Sequence, residues 1–276
     1  MHYLVQENIF KERNYEMILE YLSRMGLSYD KVSIVPFTED IKTRVEDENG
    51  ELKEYLDFET PHKNVFCFGS VKFAHISKDK GWSPGSMFNE NHDFEVYSKY
   101  YGDKLLNYDC IVQPLTDPKP ESLPNLYFAR PCKDTKLFTG QVFFKAETWE
   151  EMKNGLIKNN THRDVTNDRI MFSKLREICF ETRCWIVDGQ VITMSEYRRG
   201  NRSIYKNSDD DLHLKERVQK LVDIYQPAKA FVMDVCETLE EPGELKIVEI
   251  NCINCSGFYG GNLPLVIDKL EEAFNF

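Results

Sequence analysis

The chain has 276 residues, 41% of them hydrophobic and 13% aromatic, enough for a large core in one big domain or two modest ones. Its 46 acids outweigh 35 bases for a formal charge of -11, which argues against general nucleic-acid binding, because affinity for phosphate backbones comes from clustered Lys and Arg. No stretch approaches the ~18 uninterrupted apolar residues of a membrane span, the first residues lack the basic-then-apolar pattern of a secretory leader, and eight cysteines without framework spacing point to reduced cytoplasmic thiols.

In chain order, His2 to Val5 is a short strand candidate. The apolar residues of Tyr15–Met25 then recur every three or four positions as one face of a helix, which Gly26 stops. Val32–Phe37 reads as a second strand, and such a β-α-β opening lays its strands parallel. The charged stretch from Thr38 to Glu59 reads as a loop or exposed hairpin. Val65–Phe68 is a third strand ending in Gly69-Ser70, most simply a turn. Helical character returns in Phe94–Tyr101, before Gly102. The Pro-rich run Gln113–Pro124 is unsuited to regular structure and marks a boundary, giving domains 1–120 and 121–276.

Beyond it, Leu126–Pro131 is a strand that turns polar at its end, with Arg130, Lys133 and Lys136 within seven residues. Phe138–Phe144 follows as its partner strand, so the cations stand on a β-turn-β support suited to phosphate oxygens. Glu147–Leu156 is a helix with a charged outer face. Asp188-Gly189 between two alternating apolar segments signals a hairpin. Glu181 and Arg183 share one face of its first strand, and its second exits through Tyr197, Arg198, Arg199 and Arg202, a patch read as a solvated loop. Lys215–Tyr225 is amphipathic, and a terminal helix begins near Pro264.

The most informative stretch is Phe231–Leu239, an acidic turn with Pro242-Gly243, and Leu245–Cys252. Alternate strand residues share a face, so Glu249 and Asn251 point together, and an antiparallel partner places Asp234 beside them. Two carboxylates and an amide oxygen are hard donors suited to a Mg²⁺ shared with phosphates. Cys252 and Cys255 lack the second pair a zinc site needs and read as small buried side chains. The six histidines form no cluster, so no Ser-His or Cys-His nucleophile is indicated.

A basic strand-turn, a Glu-x-Arg hairpin, an Arg-rich exit and Asp followed by Glu-x-Asn together resemble the ATP-grasp superfamily. Arg130-Pro131-x-x-Asp134-x-Lys136 with Phe138-x-Gly140 looks like its arginine-and-two-lysines clade, over residues 126 to 262. Gly69-Ser70, Pro84-Gly85 and Leu105-Leu106-Asn107 are similar, more loosely, to that clade's preceding domain. The resemblance implies an α/β protein, an ATP-grasp fold of two lobes preceded by a small Rossmann-like open-sheet domain. It implies Mg²⁺ on Asp234, Glu249 and Asn251, and ATP phosphates on Arg130 and Lys136, with Lys133 and Lys145 both candidates for the second lysine. Ser173 to Ile178, including Leu175, would meet adenine through backbone groups, and Glu177 the ribose. Glu181, Arg183 and Arg198 would lie near the phosphates and acyl acceptor, Ser256, Gly257, Tyr259 and Asn262 at the substrate, and Cys132–Gly140 would serve as lid. The expected activity is ATP-dependent ligation of a small or peptide-like carboxylate to an amine through an acylphosphate. A kinase on the same fold and an inactive nucleotide-binding adaptor are the alternatives.

Overall fold

The computed structural model describes residues 1–7, 13–36, 38–49, 52–133, 137–161 and 163–274. Three sheets follow one another along the chain. The first has the order β4-β3-β2-β1-β5-β6, from β1 (His2–Gln6), β2 (Tyr29–Ile34), β3 (Ile41–Glu46), β4 (Leu52–Asp57), β5 (Asn64–Phe68) and β6 (Ser83–Gly85). Helix α1 (Arg13–Arg24) carries the chain from β1 to a parallel β2, and α2 (Val71–Asp79) follows β5. Every residue of β1 is buried, because both its faces are covered: Tyr3 and Val5 pack on Ile18, Leu22, Ile267 and Leu270, while Leu4 meets Val32, Phe73 and Ile76. The middle of this central parallel strand, Tyr3–Val5, is therefore apolar on both faces, with His2 and Gln6 at its ends.

The second sheet, β7-β10-β8-β9, is antiparallel and contains β7 (Ile111–Pro114), β8 (Leu126–Pro131), β9 (Gln141–Phe144) and β10 (Arg169–Lys174). Helix α3 (Phe94–Tyr101) precedes it, and α4 (Lys145–Asn159) covers it with fully buried Trp149, edge-on to Phe143 and Phe172. The third sheet has the order β13-β12-β11-β14-β15, from β11 (Ile178–Val187), β12 (Gln190–Arg199), β13 (Arg202–Asn207), β14 (Ala230–Thr238) and β15 (Lys246–Cys252). Helix α5 (Leu212–Val222) packs Leu214 and Val218 against one core beneath it. Helix α6 (Leu263–Phe274) packs Val266 and Ile267 into another, which it shares with β1 and α1.

Asp188 (φ 50) and Gly189 (φ 73) both hold positive φ in the β11–β12 turn, as a two-residue hairpin of this twist requires. The stretch 38–59 is the hairpin β3–β4, added to the first sheet. Several expectations are corrected. Strand β2 begins at Tyr29 and ends at Ile34, before Pro36, and Phe37 lies outside the described residues. Gly69-Ser70 is more than a turn: Ser70 Oγ accepts from Phe73 N at 3.2 Å and caps α2, while Gln6 Oε1 accepts from Ser70 N at 2.9 Å. Strand β7 runs into the Pro-rich segment as far as Pro114, tolerated because β7 is an edge. Strand β9 starts at Gln141 instead of Phe138, and the Arg-rich exit continues into β13, not a free loop.

One side chain ties the first sheet to the third. Asn254, 2% exposed, sits in the 3₁₀ turn after β15; its Nδ2 donates to Cys67 O (2.5 Å) and Gly85 O (3.3 Å), and its Oδ1 accepts from Met87 N (2.8 Å). Its own carbonyl accepts from Gly69 N at 2.8 Å. The end of β15 is thereby pinned to the ends of β5 and β6.

Candidate active site

The β14–β15 hairpin pairs Asp234 with Glu249 and Val232 with Asn251, so the two carboxylates and the amide come to one face. Asn251 Nδ2 donates to Glu249 Oε1 at 2.8 Å and lies 3.4 Å from Asp234 Oδ2. Arg130, at the end of β8 and 119 residues upstream, donates through Nη1 to Glu249 Oε2 at 2.7 Å and through Nη2 to the Tyr97 hydroxyl at 2.8 Å. Its guanidinium also stands over the Phe94 ring. The middle and third sheets therefore meet at Arg130–Glu249.

On β11, Arg183 is the register partner of Asp234 and grips both its oxygens, Nε to Oδ1 at 2.8 Å and Nη2 to Oδ2 at 2.7 Å. Arg183 Nη1 donates to Gly257 O at 3.2 Å, and its plane lies against Tyr197 and Tyr259, which stack 4.8 Å apart. Every donor group of Arg183 is thus engaged, which makes it a brace between Asp234 and the 257–259 loop. Two residues back, Glu181 accepts from Arg198 Nη1 at 2.8 Å and from the Tyr197 hydroxyl at 2.5 Å. Adjacent residues reach one carboxylate because a bulge interrupts β12 between Glu196 and Arg198.

Burial sets the electrostatics of the two acids apart. It pushes the Asp234 carboxyl up to about 6 against the pull of Arg183. Glu249 feels the same push, but Arg130, Asn251 and Arg183 outweigh it and hold that carboxyl below its usual range. Burial, with Asp234 and Glu181 nearby, raises the Tyr197 phenol, so that hydroxyl stays a donor.

Two cavities flank the Arg130–Glu249 pair. The first, about 490 Å³, has Phe128, Val142, Leu106 and Val248 at its apolar walls, the segment Ser173–Arg176 along one side, and Arg130, Glu181, Arg198 and Glu249 among its polar lining. The second, about 330 Å³, is lined by His92, Tyr97, Arg130, Lys133, Gly140, Glu249 and Asn251. Among the described residues no group of three or more His, Cys, Asp or Glu gathers as a metal cage; the set here is two carboxylates and an amide.

The sequence-derived residues fall into distinct places. Arg130, Ser173, Leu175, Glu181, Arg198 and Glu249 line the first cavity, and Asn251 and Lys133 the second. Lys133 is 61% exposed and paired with Asp93 at 3.2 Å. Glu177 lines neither; its backbone N–H donates to the Glu240 carboxylate. Lys145, at φ 67, is exposed with its ammonium over the Phe144 ring, and it too lines neither cavity. Lys136 lies outside the described residues, as does part of the 132–140 segment read as a lid. Ser256 is buried with Oγ donating to Cys252 O, Gly257 accepts from Arg183, Tyr259 stacks on Tyr197, and Asn262 Oδ1 accepts from Leu265 N in the first turn of α6. None of these four lines either cavity, and Gly257 and Tyr259 are in contact with Arg183. Sequence reasoning missed Tyr97, Tyr197's grip on Glu181, Asn107 and His92. Tyr97 and His92 precede the sheets they serve and carry no local motif; Tyr197 had a signal in its place beside Arg198, and Asn107 in the Leu105-Leu106-Asn107 run, though neither was assigned to the site. The six histidines are also less dispersed than expected, since His2 and His62 stack at 4.3 Å.

An open α/β sheet followed by two antiparallel sheets that close on a cleft, with acids on one side and an arginine reaching in from the other, is the ATP-grasp architecture. The chain belongs to family 3 of the arginine-and-two-lysines clade of ATP-grasp domains, whose model matches residues 42–270. It is similar in fold to the D-alanine–D-alanine ligase of Coxiella burnetii, at TM-score 0.64 and 10% identity, covering 99% of this chain and 95% of that one. The D-alanine–D-alanine ligase of Bacillus anthracis complexed with ATP matches at TM-score 0.59 and 12% identity, over 100% of this chain and 97% of that one. A RimK domain ATP-grasp protein of Sphaerobacter thermophilus matches at TM-score 0.58 and 9% identity, over 98% and 100%. Among curated proteins none matches the sequence. Family membership supports an ATP-dependent ligase with ATP as its nucleotide. No helix among the described residues is long and apolar enough to cross a membrane.

Proposed function

We propose that this protein is an ATP-dependent carboxylate–amine ligase that works through an acylphosphate on amino-acid-like or peptide-like substrates. The observation that carries this reading is the convergence of Asp234, Glu249 and Asn251 on one sheet face with Arg130 brought against Glu249 from another sheet. The first cavity suits ATP in both size and lining: apolar side chains of Phe128, Val142 and Val248 for the base, the 173–176 segment with its backbone groups, and the charged Arg130, Glu181, Arg198 and Glu249. Arg130 is the phosphate contact favoured by its position, joined by Lys136; of the two candidates for the second lysine, Lys145 lines neither cavity and Lys133 lines the second and not the first.

Hard oxygen donors on Asp234, Glu249 and Asn251 fit Mg²⁺, which needs only one or two protein carboxylates when phosphates and waters complete its shell. Bound there, the ion would neutralise charge on the phosphoryl group in transfer. Arg183 holds Asp234 in place by its two-point grip. A carboxylate is a poor electrophile because its leaving group would be oxide; transfer of the terminal phosphoryl group makes phosphate the leaving group instead. An amine then attacks, and Arg198, 47% exposed at the cavity wall, is placed to stabilise the oxyanion once drawn from Glu181. The Tyr197 hydroxyl is a second donor to Glu181, on the oxygen that Arg198 does not hold.

The test is a mass-spectrometric screen of carboxylates and amines for an ATP-dependent condensed product, comparing wild type with Asp234→Asn. ADP, free phosphate and an amide in equal amounts are expected, all lost in the variant. A phosphorylated product without free phosphate makes the protein a kinase; tight ATP binding with no turnover on any acceptor makes it an adaptor.

A further inference from the structure

The second cavity is left over once a nucleotide fills the first, and the Arg130–Glu249 pair divides the two. Whatever occupies it meets the terminal phosphate. Two buried nitrogens on its lining lack hydrogen-bond partners among the described residues: Arg130 Nε and His92 Nε2. A buried polar atom without a partner is costly, and native structures satisfy such atoms with ligand or water. His92 is 9% exposed, held in the 3₁₀ turn Glu90–His92 with its ring stacked on Phe88. Its Nδ1 is 3.3 Å from the Asn89 carbonyl, which can only accept, so Nδ1 carries the proton and Nε2 is a bare acceptor. Burial lowers this imidazole to about 4, in keeping with the neutral ring. One wall of the cavity therefore offers an N–H donor, the other an acceptor.

At the outer rim stands exposed Lys133, paired with Asp93 at 3.2 Å, which also lines a third cavity of about 300 Å³ together with His75, Lys78, Phe88, Glu90 and Asp93. The trough thus runs outward from Asn251 to a rim where Lys133 is exposed and held by a single carboxylate, Asp93.

Resting on the ligase reading, we propose that the second cavity is the acyl-acceptor site and takes an α-amino group flanked by a carboxyl group, from a free amino acid or a peptide N-terminus. His92 Nε2 accepts from the amine, and the exposed Lys133 ammonium, shared with Asp93, meets the carboxylate of a free amino acid. The amine nitrogen forms its bond to the acylphosphate carbonyl carbon, the carbon–oxygen bond to phosphate breaks with its electron pair on phosphate, and of the two protons the ammonium loses one goes to phosphate and one to water. His92 orients the amine and keeps no proton.

The experiment uses the full chain with ATP and Mg²⁺. N-acetylated amino acids serve as donors, which cannot act as acceptors, and hydroxylamine traps any acylphosphate as a hydroxamate. With a donor so found, free amino acids, their C-terminal amides and tripeptides with free N-termini are compared as acceptors in wild type, His92→Phe, His92→Gln and Lys133→Glu. His92→Phe keeps the stack on Phe88 but removes Nε2, and raises the acceptor KM about tenfold, the loss of one hydrogen bond. His92→Gln restores an acceptor oxygen and recovers most of it, while the KM for ATP holds. Lys133→Glu, on an exposed side chain that leaves the core alone, raises the KM of free amino acids more than that of their amides. A preference for tripeptides that Lys133→Glu leaves intact identifies a peptide N-terminus as the acceptor and supports the cavity assignment. Hydroxamate formation with acceptor KM values unmoved in both His92→Phe and Lys133→Glu overturns this assignment alone. Absence of hydroxamate with every donor overturns the ligase reading, and the acceptor site with it.

Discussion

Removal of Arg183 is the sharpest test of how the site is held. Its guanidinium spans both oxygens of Asp234, at 2.8 and 2.7 Å, and Asp234 is 1% exposed. Arg183→Met keeps an apolar stem beside Tyr197 and Tyr259 but leaves a buried carboxylate with no cation on it, a change that costs about 3–5 kcal/mol. The carboxyl, already at about 6 with Arg183 present, rises further and holds its proton at neutral pH. Adding Asp234→Asn removes the cost of protonating that buried acid, so the double variant should regain about 2 kcal/mol, a non-additivity expected of groups in direct contact. Urea unfolding followed by circular dichroism, with a chelator and no nucleotide, reads all four corners of the cycle. A loss under about 1 kcal/mol for Arg183→Met, or strict additivity in the double variant, would refute the brace.

Glu249→Gln should lower Mg²⁺-dependent ADP release by at least about 100-fold, since it removes a charge from the proposed metal site and from Arg130 together; steady-state kinetics with varied Mg²⁺ checks it. Gly261→Ala would set a Cβ 2.6 Å from the Trp185 ring and should cost about 1–3 kcal/mol in thermal unfolding, with near-ultraviolet dichroism reporting the displaced indole. Asn254→Ala strips the ties to Cys67, Gly85 and Met87 and should cost about 3 kcal/mol, with hydrogen exchange rising first in β5 and β6. For pH, burial depresses His92 to about 4, below its unfolded value, so its share of stability is present above about 6.5 and is lost as pH falls toward 4. That share is at most about 3 kcal/mol, and urea titrations at several pH values should show a shallower acid slope in His92→Phe.

The elements that rest on local pattern were legible in the chain. Leu126–Pro131, Phe94–Tyr101 and the terminal helix from Leu263 are found where periodicity and punctuation put them, and Asp188-Gly189 makes its turn because positive φ suits those two residues. Elements whose cause lies elsewhere were not. Nothing near Ser70 reveals that Gln6, 64 residues away, orders the start of α2. Strand β13 looked like a charged loop because it is an edge whose apolar partner surface belongs to β12.

Within the site, the alternation of side chains along a strand sufficed to put Glu249 and Asn251 on one face, and the hairpin turn to bring Asp234 beside them. What faces that trio could be decided only by packing of one sheet on another. Arg130 reaches Glu249 and Arg183 is consumed by Asp234, because carboxylates withdrawn from water must find cations wherever the fold brings them. Sequence periodicity determined which residues share a face; tertiary closure determined which faces meet, since strand pairing is local in pattern whereas burial is a property of the whole chain.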